Sequence, residues 1–417
     1  MKLAILGSDS DILQLAAAAR GERHVIVWLG DVRPEDGAAI GEFTAGMTDR
    51  SGEWELLLDR AIADAVLIGR GIASSELRAE RIKRLATEGV PLLIVYPPFE
   101  FVLPYYEVDM IRRESGAIVQ HYNPLMGHPA AAEAAAWVHD GHPTIGPIHQ
   151  LSCERRVAVA SREPVIADLA RDVELLASVA GDIRRVTAIG PTGDGASYAS
   201  LQIQMNAVSA PSLRWSVSRA AAGAAELGIA LHGEQGIVTI RIQDGAKNGS
   251  SVWQLDTDED GARNRRPLEP YDPARAAVIR LAAAVEDSQT LVERDFSSTW
   301  DAATRAMEVV DAAELSLQKG RTIEVFQQQL TERLAFRGTM AAIGCGLMLV
   351  AFVAVVVVGL LGGAEGIVRQ RLAPSWPIVL LAVLAFFLFL QAVPFLAGKS
   401  NRDRSVPQAN RPNERDS

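Results

Sequence analysis

Apolar residues near the start of the chain fall in short unbroken runs, each followed by a stretch with helical periodicity. Lys2–Leu6, His24–Leu29, Ala65–Gly69 and Leu92–Tyr96 are such runs, and Ile12–Arg20, Trp54–Ile62 and Ser75–Glu88 read as helices between them. A strand covered on both sides has no polar face to show, so this alternation predicts a parallel sheet between two helical layers. The expected fold of residues 1–122 is a Rossmann-like, doubly wound α/β domain. Ligands of such domains bind beyond the C-terminal ends of the strands.

The pattern then changes. Pro164–Ala180 places Ile166, Leu169, Val173, Leu176 and Val179 near helical spacing and stops at Gly181. Around it the period is two: Leu201, Ile203 and Met205 share one face, as do Val238, Ile240 and Ile242. Leu213–Ser218 and Ile229–His232 read as neighbouring strands, and Gly233-Glu234-Gln235-Gly236 is a hairpin turn signal. These features predict a mostly antiparallel sheet, solvated or paired on one face. Ser298–Lys319 reads as a long helix, with Ser298 as cap, Asp301 three positions on, and Gly320 as its end. The charged stretch Asp256–Pro273, with prolines at its end, is expected to be a surface loop. Residues 123–335 are thus expected to form a second, α+β domain.

Near the C-terminus the pattern becomes apolar all round. Gly338–Gly363 and Pro374–Ala397 carry no charge, and each exceeds the roughly 20 helical residues that cross a bilayer core. Residues 338–363 and 374–397 are therefore expected to be two transmembrane helices. Lys319, Arg321, Arg333 and Arg337 precede them and Lys399, Arg402, Arg404, Arg411 and Arg415 follow, whereas the connecting loop has only Arg369 and Arg371. The excess of basic residues on the flanks predicts a multi-pass membrane protein with both termini and the soluble body in the cytoplasm. Trp376 sits where an interfacial aromatic belongs, and residues 398–417 read as a disordered tail.

A net charge of −10 argues against a nucleic-acid partner, since phosphates reward a basic surface. The two cysteines, Cys153 and Cys345, lie in the soluble body and in a hydrophobic segment, which argues against a disulfide framework and suits a reducing compartment. Asp9 and Asp11 interrupt the apolar N-terminus, so it reads as a first strand rather than a signal peptide.

Candidate chemistry sits first at Gly7-Ser8-Asp9-Ser10-Asp11, the turn between the first strand and helix. A dinucleotide fold uses G-x-G-x-x-G here, and only the first glycine is present. Asp9 and Asp11 would repel a pyrophosphate. Two readings stay open: a tight turn in which Asp caps the helix, or a divergent cofactor loop. Asp31 follows the second strand, where an acidic residue can hold a ribose hydroxyl. His139, His142 and His149 lie in a loop-like segment without other metal-ligand spacing, so no metal is expected. Arg155 and Arg156 are adjacent on a strand and should face opposite sides.

The order of these elements resembles the Gfo/Idh/MocA oxidoreductases over nearly all of the soluble body. Ala65-Val66-Leu67-Ile68-Gly69 is similar to that family's strand at the cofactor edge, and Gly89-Val90-Pro91-Leu92-Leu93-Ile94-Val95-Tyr96-Pro97 to the strand ending in its Glu-Lys-Pro. Ile145-Gly146-Pro147-Ile148 resembles the start of its second sheet, and Trp300 through Gly320-Arg321 its closing helix. Ser316, Gly320, Arg321, Phe336, Gly338, Met340, Gly344 and Cys345 resemble a subgroup with a C-terminal membrane hairpin. The resemblance implies an NAD(P) cofactor contacting Gly7, Ser8, Asp31, Gly69 and Pro97, and sugar or polyol chemistry between the domains. It also exposes departures. Tyr96 stands where the family has its lysine, and alignment on Gly181 puts Glu174 and Arg171 at the positions of the family's Asp and His.

Tyr96, Glu174 and Arg171 are therefore the candidate catalytic residues. Arginine stays protonated and an unperturbed tyrosine titrates at about 10. Loss of a positioned acid or base costs on the order of 10²–10⁴ in rate. The first expectation is a membrane-tethered relative that binds a nucleotide or sugar-like ligand through an impaired active site. The second is a working NAD(P)-dependent enzyme acting on a sugar, polyol or sugar nucleotide, with Tyr96 as proton donor. The third is a non-catalytic scaffold that forms a homodimer through the second-domain sheet.

Overall fold

The computed structural model describes residues 1–325 except 34–35, 37–38, 41–49, 72–73, 192–196, 208–211, 221–225, 244–251, 260–261 and 289–296. The expected membrane hairpin, 338–363 with 374–397, and the tail 398–417 lie outside the described residues. Among the described residues no helix is long and apolar enough to cross a membrane. Met1–Gln327 forms one compact unit.

Five strands, β1 (Lys2–Leu6), β2 (Val25–Gly30), β3 (Ala65–Ile68), β4 (Leu92–Val95) and β5 (Val119–Tyr122), form a parallel sheet in the order β2-β1-β3-β4-β5. Alternate side chains of β1, β3 and β4 feed two separate cores. Leu3 and Ile5 pack with Ile12 and Leu15 of helix α1 (Ser10–Gly21). Ala4 and Leu6 join the core that holds Ile82 and Leu85 of α2 (Ser75–Thr87) and Val108 of α3 (Leu103–Ser115). Because both faces are covered, all four residues of β3 and of β4 are buried, as the unbroken apolar runs require. The strand order reverses between β1 and β3, so a switch point lies at their C-terminal ends.

Helix α4 (Pro129–Asp140), capped by His128, leads into the second layer. There nine strands run β13-β12-β11-β10-β6-β9-β8-β7-β14. They are β6 (Ile148–Val157), β7 (Ile183–Ile189), β8 (Gln202–Ala207), β9 (Ser212–Arg219), β10 (Glu226–Gly233), β11 (Gly236–Gln243), β12 (Val252–Glu259), β13 (Ala262–Pro267) and β14 (Ile323–Glu324). Pairing is antiparallel throughout except β6 with β9. Helix α5 (Arg162–Ala180) buries Leu169, Val173 and Leu176 in the large core shared with the inward residues of this sheet. Arg155 and Arg156 do face opposite sides: Arg155 is buried on Asp172, with the Trp215 Nε1 donating to Asp172 at 2.9 Å, and Arg156 lies outside near Glu226.

Helices from late in the chain finish the first layer. Ala277, Val278 and Leu281 of α6 (Pro273–Ser288) complete the core under β1, and Trp300 of α7 (Ser297–Lys319) donates from Nε1 to the Tyr105 carbonyl at 3.1 Å. Residues beyond 122 thus cover the sheet built by residues before it.

Two expectations are corrected. Trp54–Ile62 is not an α-helix: Ser51–Leu58 is a 3-10 segment with a kink at Glu53, followed by a turn. Asp256–Pro273 is not a loop, because β12 and β13 occupy most of it. Its charges pair across the outer face of the sheet, where Asp256 accepts from Arg241 and Arg265 at 2.9 Å each. Trp253 and Leu255 meanwhile reach the core. Such cross-strand opposite-charge pairs support an edge strand as well as a loop would explain its polarity.

Candidate functional site

The switch point is built by close approach of backbone. Gly7, at φ +84°, has no room for a side chain: a Cβ there would lie 2.8 Å from the Gly69 carbonyl oxygen. A Cβ on Gly71 would lie 2.7 Å from the Gly7 Cα. The loops after β1 and β3 are therefore in direct contact. Ser8, buried between them, donates from its hydroxyl to Asp36 at 2.9 Å and accepts from the Arg33 amide at 2.7 Å.

Asp9 caps α1, accepting from the amides of Asp11 (3.0 Å) and Ile12 (2.9 Å), while its second oxygen accepts from the Arg70 amide at 2.9 Å. Asp31, at φ +57°, is buried in an ion pair with Arg81. Thus the first-turn amides and the acidic residue after β2 are both engaged within the protein.

The candidate catalytic residues come together without converging on open space. Arg171 reaches from α5 to donate from Nε to the Tyr96 carbonyl at 2.8 Å and from Nη2 to the Asp11 carboxylate. Burial opposes its charge, but Asp11 and Asp168 outweigh burial and raise its proton affinity. The Tyr96 phenol is 0% exposed and donates to the Ala303 carbonyl at 3.2 Å. Burial, helped by Tyr105 and Glu174, pushes it well above the ordinary tyrosine range. Glu174 is also buried, with one oxygen 2.5 Å from the His121 Nε2 and the other accepting from the Asn123 side-chain Nδ2 at 2.9 Å. His121, on β5, is the member of this group that the sequence pattern missed.

A cleft of about 420 Å³ opens on the other side of Gly71, over the first turn of α2. Pro97, Phe99, Ile166 and Met307 form its apolar lining, with Ala167 of α5 beside them. Arg33, Arg70, Arg78 and Arg162 bring positive charge to it, and Glu76, Glu100 and Glu163 negative charge. Arg33 donates from Nε to the Gly71 carbonyl at 3.3 Å, and Arg78 from Nη1 to the Pro98 carbonyl at 3.1 Å. The half-buried Arg70 side chain has no hydrogen bond or ion pair among the described residues. Arg33 follows β2, Arg70 follows β3 and Arg78 lies on α2, so no local motif marks them. Of the expected cofactor positions, Pro97 lines this cleft, whereas Gly7, Ser8, Asp31 and Gly69 lie in the packed switch point. His139 is exposed, and His142 accepts through Nδ1 from the Thr144 amide at 3.3 Å.

Several solved structures share this fold. A candidate myo-inositol dehydrogenase from Sinorhizobium meliloti is 19% identical, with a TM-score of 0.59, over 78% of this chain and 100% of its own. An oxidoreductase from Agrobacterium radiobacter, solved with NAD+, L-tartaric acid and magnesium, is 14% identical, with a TM-score of 0.58, over 78% and 98%. A 3-ketoreductase from Actinomadura kijaniata, solved as a lysine-to-glutamate mutant with NADP and TDP-benzene, is 15% identical, with a TM-score of 0.58, over 76% and 98%. Over this span the chain has the fold of Gfo/Idh/MocA-type NAD(P)-dependent oxidoreductases. No family model and no curated protein matches the sequence.

The residues at the switch point do not fit a dinucleotide. In doubly wound folds the pyrophosphate rests on the N-terminal amides of the first helix. Here the Asp9 carboxylate already accepts from those amides. Two like charges about 4 Å apart repel by about 4 kcal/mol at an effective dielectric near 20. A helix terminus returns only about 0.3–1 kcal/mol to an anion. Repulsion wins.

Proposed function

We propose that this chain is a membrane-tethered protein of the oxidoreductase fold that binds a sugar- or nucleotide-type ligand without nicotinamide-dependent hydride transfer. The observation that carries this reading is the Arg171 side chain, which spans from α5 to Asp11 and to the Tyr96 carbonyl, with Asp9 folded onto the helix amides beside it. Oxidising an alcohol needs a group that exchanges a proton near neutral pH. Arg171 holds its proton more firmly than usual, and the Tyr96 phenol is sealed against a backbone carbonyl. Glu174 is committed to His121 and Asn123. In this reading the three residues hold the two sheets together.

The tether is the pair of uncharged segments 338–363 and 374–397, with the body on the cytoplasmic side, as the basic flanks favour. The test is a titration of the full-length chain in dodecyl maltoside with NAD(H) and NADP(H), followed by fluorescence quenching and by sugar-dependent reduction. Neither saturable dinucleotide binding nor turnover is expected. Rapid turnover abolished by Tyr96→Phe would overturn the reading.

A further inference from the structure

A helix on the surface of a folded body turns apolar residues inward and polar ones outward. α3 obeys the first half of that rule, since Tyr105 and Val108 are buried. Its outward ridge breaks the second half. Leu103 is 63% exposed, and Met110, two turns further along the same ridge, is 56% exposed. Phe101, just before the helix, is 49% exposed. Other exposed apolar residues, such as Val25 on β2 and Ile189 on β7, lie on separate elements, which is ordinary for a protein surface. The charges beside the ridge are largely matched: Glu107 pairs with Lys83 of α2 at 2.8 Å, and Arg113 with Asp109 at 2.9 Å. Glu100 and Glu114 are exposed near its two ends, so nothing there attracts an anionic surface.

The course of the chain brings its exit close to this ridge. β14 runs antiparallel to β7, and the Val325 amide donates to the Arg184 carbonyl at 2.8 Å, so the last described residues head toward Asp182. Asp182 meets Arg305 of α7 at 3.4 Å, and Asp301, one turn earlier, meets Arg112 of α3 at 3.1 Å. The chain thus leaves the described residues on the side of the body where α3 lies. Residues 326–337 separate Val325 from the first uncharged segment, and even fully extended they span at most about 40 Å.

We propose that the ridge of Phe101, Leu103 and Met110 docks on a lipid bilayer, placing these side chains among the lipids of the membrane that holds the chain. The proposal rests on the membrane tether proposed above and names the surface of the body that meets the lipid. A short tether keeps the bilayer at a high effective concentration, so a small apolar contact is enough. A free protein partner would have no such help. Because the ridge is apolar and the ion pairs beside it cancel, the lipid it fits is zwitterionic. The connection from β4 into α3 is shared with the cleft: Pro97, Pro98, Phe99 and Glu100 line the cleft, while Phe101 and Leu103 are exposed. Docking therefore brings the cleft to the boundary between lipid and water.

The test uses the full-length chain carrying Cys345→Ser in phosphatidylcholine nanodiscs, with a nitroxide label on one introduced cysteine at a time. Cys153 is buried and does not compete for the label. Power saturation compares collisions with oxygen, which concentrates in lipid, against collisions with a water-soluble nickel chelate. The ratio of oxygen to nickel access should be at least about threefold higher for Met110→Cys and Leu103→Cys than for Val25→Cys, as for side chains seated at the acyl boundary. Val25 is the control because it is 60% exposed on a different face, at the sheet edge. Adding Leu103→Glu to Met110→Cys should return that label to the Val25 ratio with the melting temperature unchanged, since both side chains are exposed. Equal ratios on the ridge and at Val25, in a chain that stays with the nanodisc, would overturn the docking proposal alone. Low access to both reagents would put a protein on that face and overturn it as well. A chain that leaves the nanodisc and stays soluble without detergent would instead overturn the tether.

Discussion

On the α1 side of Gly71, acidic groups at the sheet edge are neutralised by what they touch. Asp9 has helix amides, Asp11 has Arg171, and Asp31 has Arg81. On the α2 side, Arg33 and Arg78 donate to carbonyls, and burial weakens the hold of Arg70 and Arg78 on their protons while Asp9 works against that effect in both. Folding alone accounts for the first arrangement, since buried charges persist when paired. The second leaves partly desolvated guanidiniums at a cleft, and perturbed charge in a cleft is a common companion of ligand sites.

The largest effect should come from breaking the paired side. Arg171→Met leaves Asp11 without its partner and should cost about 3–5 kcal/mol of stability by chemical denaturation, as for other broken buried pairs. A loss below about 1 kcal/mol would place that pair with surface ion pairs instead. A smaller effect concerns Asp311 of α7, which accepts from the Val102 amide at 3.1 Å. Burial, opposed by that amide and reinforced by Glu314, pushes its carboxyl up to about 6. Its folded value lies above its unfolded one, so the folded state binds more protons between about pH 4 and 6. Stability should therefore fall as pH rises through that window, by on the order of 1 kcal/mol once partial exposure is allowed for, and level off above it. Asp311→Asn, which keeps an acceptor for Val102, should flatten the slope in pH-dependent melting. Comparable in size, Asp9→Ala should cost about 1 kcal/mol as a lost cap. It should also free the first-turn amides, so ADP binding by the Asp9→Ala chain should exceed that of the parent. Unchanged ADP affinity would show that Asp9 is not what keeps anions from that helix.

Much of the first layer was legible because strands buried on both faces must be apolar throughout, as in Ala65–Ile68 and Leu92–Val95. The period-two strands around Leu201–Met205 and Val238–Ile242 were legible for the complementary reason, one face in the core and one outside. Polarity misled at β12 and β13, where Asp256, Arg241 and Arg265 satisfy one another on the sheet surface. It misled because a charged segment reads as loop until its partners are known. Tyr96, Arg171 and Glu174 were picked out through the family resemblance and the alignment on Gly181, but whether they meet was not legible. Nor was their chemistry, because the sealing of the phenol by Ala303 and the Glu174 contact with His121 join distant parts of the chain. The arginine cleft was invisible for the same reason.

Arg171 grips α1 and the end of β4 at once from a helix of the other sheet. Hinged enzymes shut on their cargo by letting two lobes swing, and a rivet through both lobes removes that swing. A guest entering beside such a rivet meets an aperture of set width. Selection there acts through size and charge at the threshold, and capture should proceed at a rate governed by diffusion rather than by a gate.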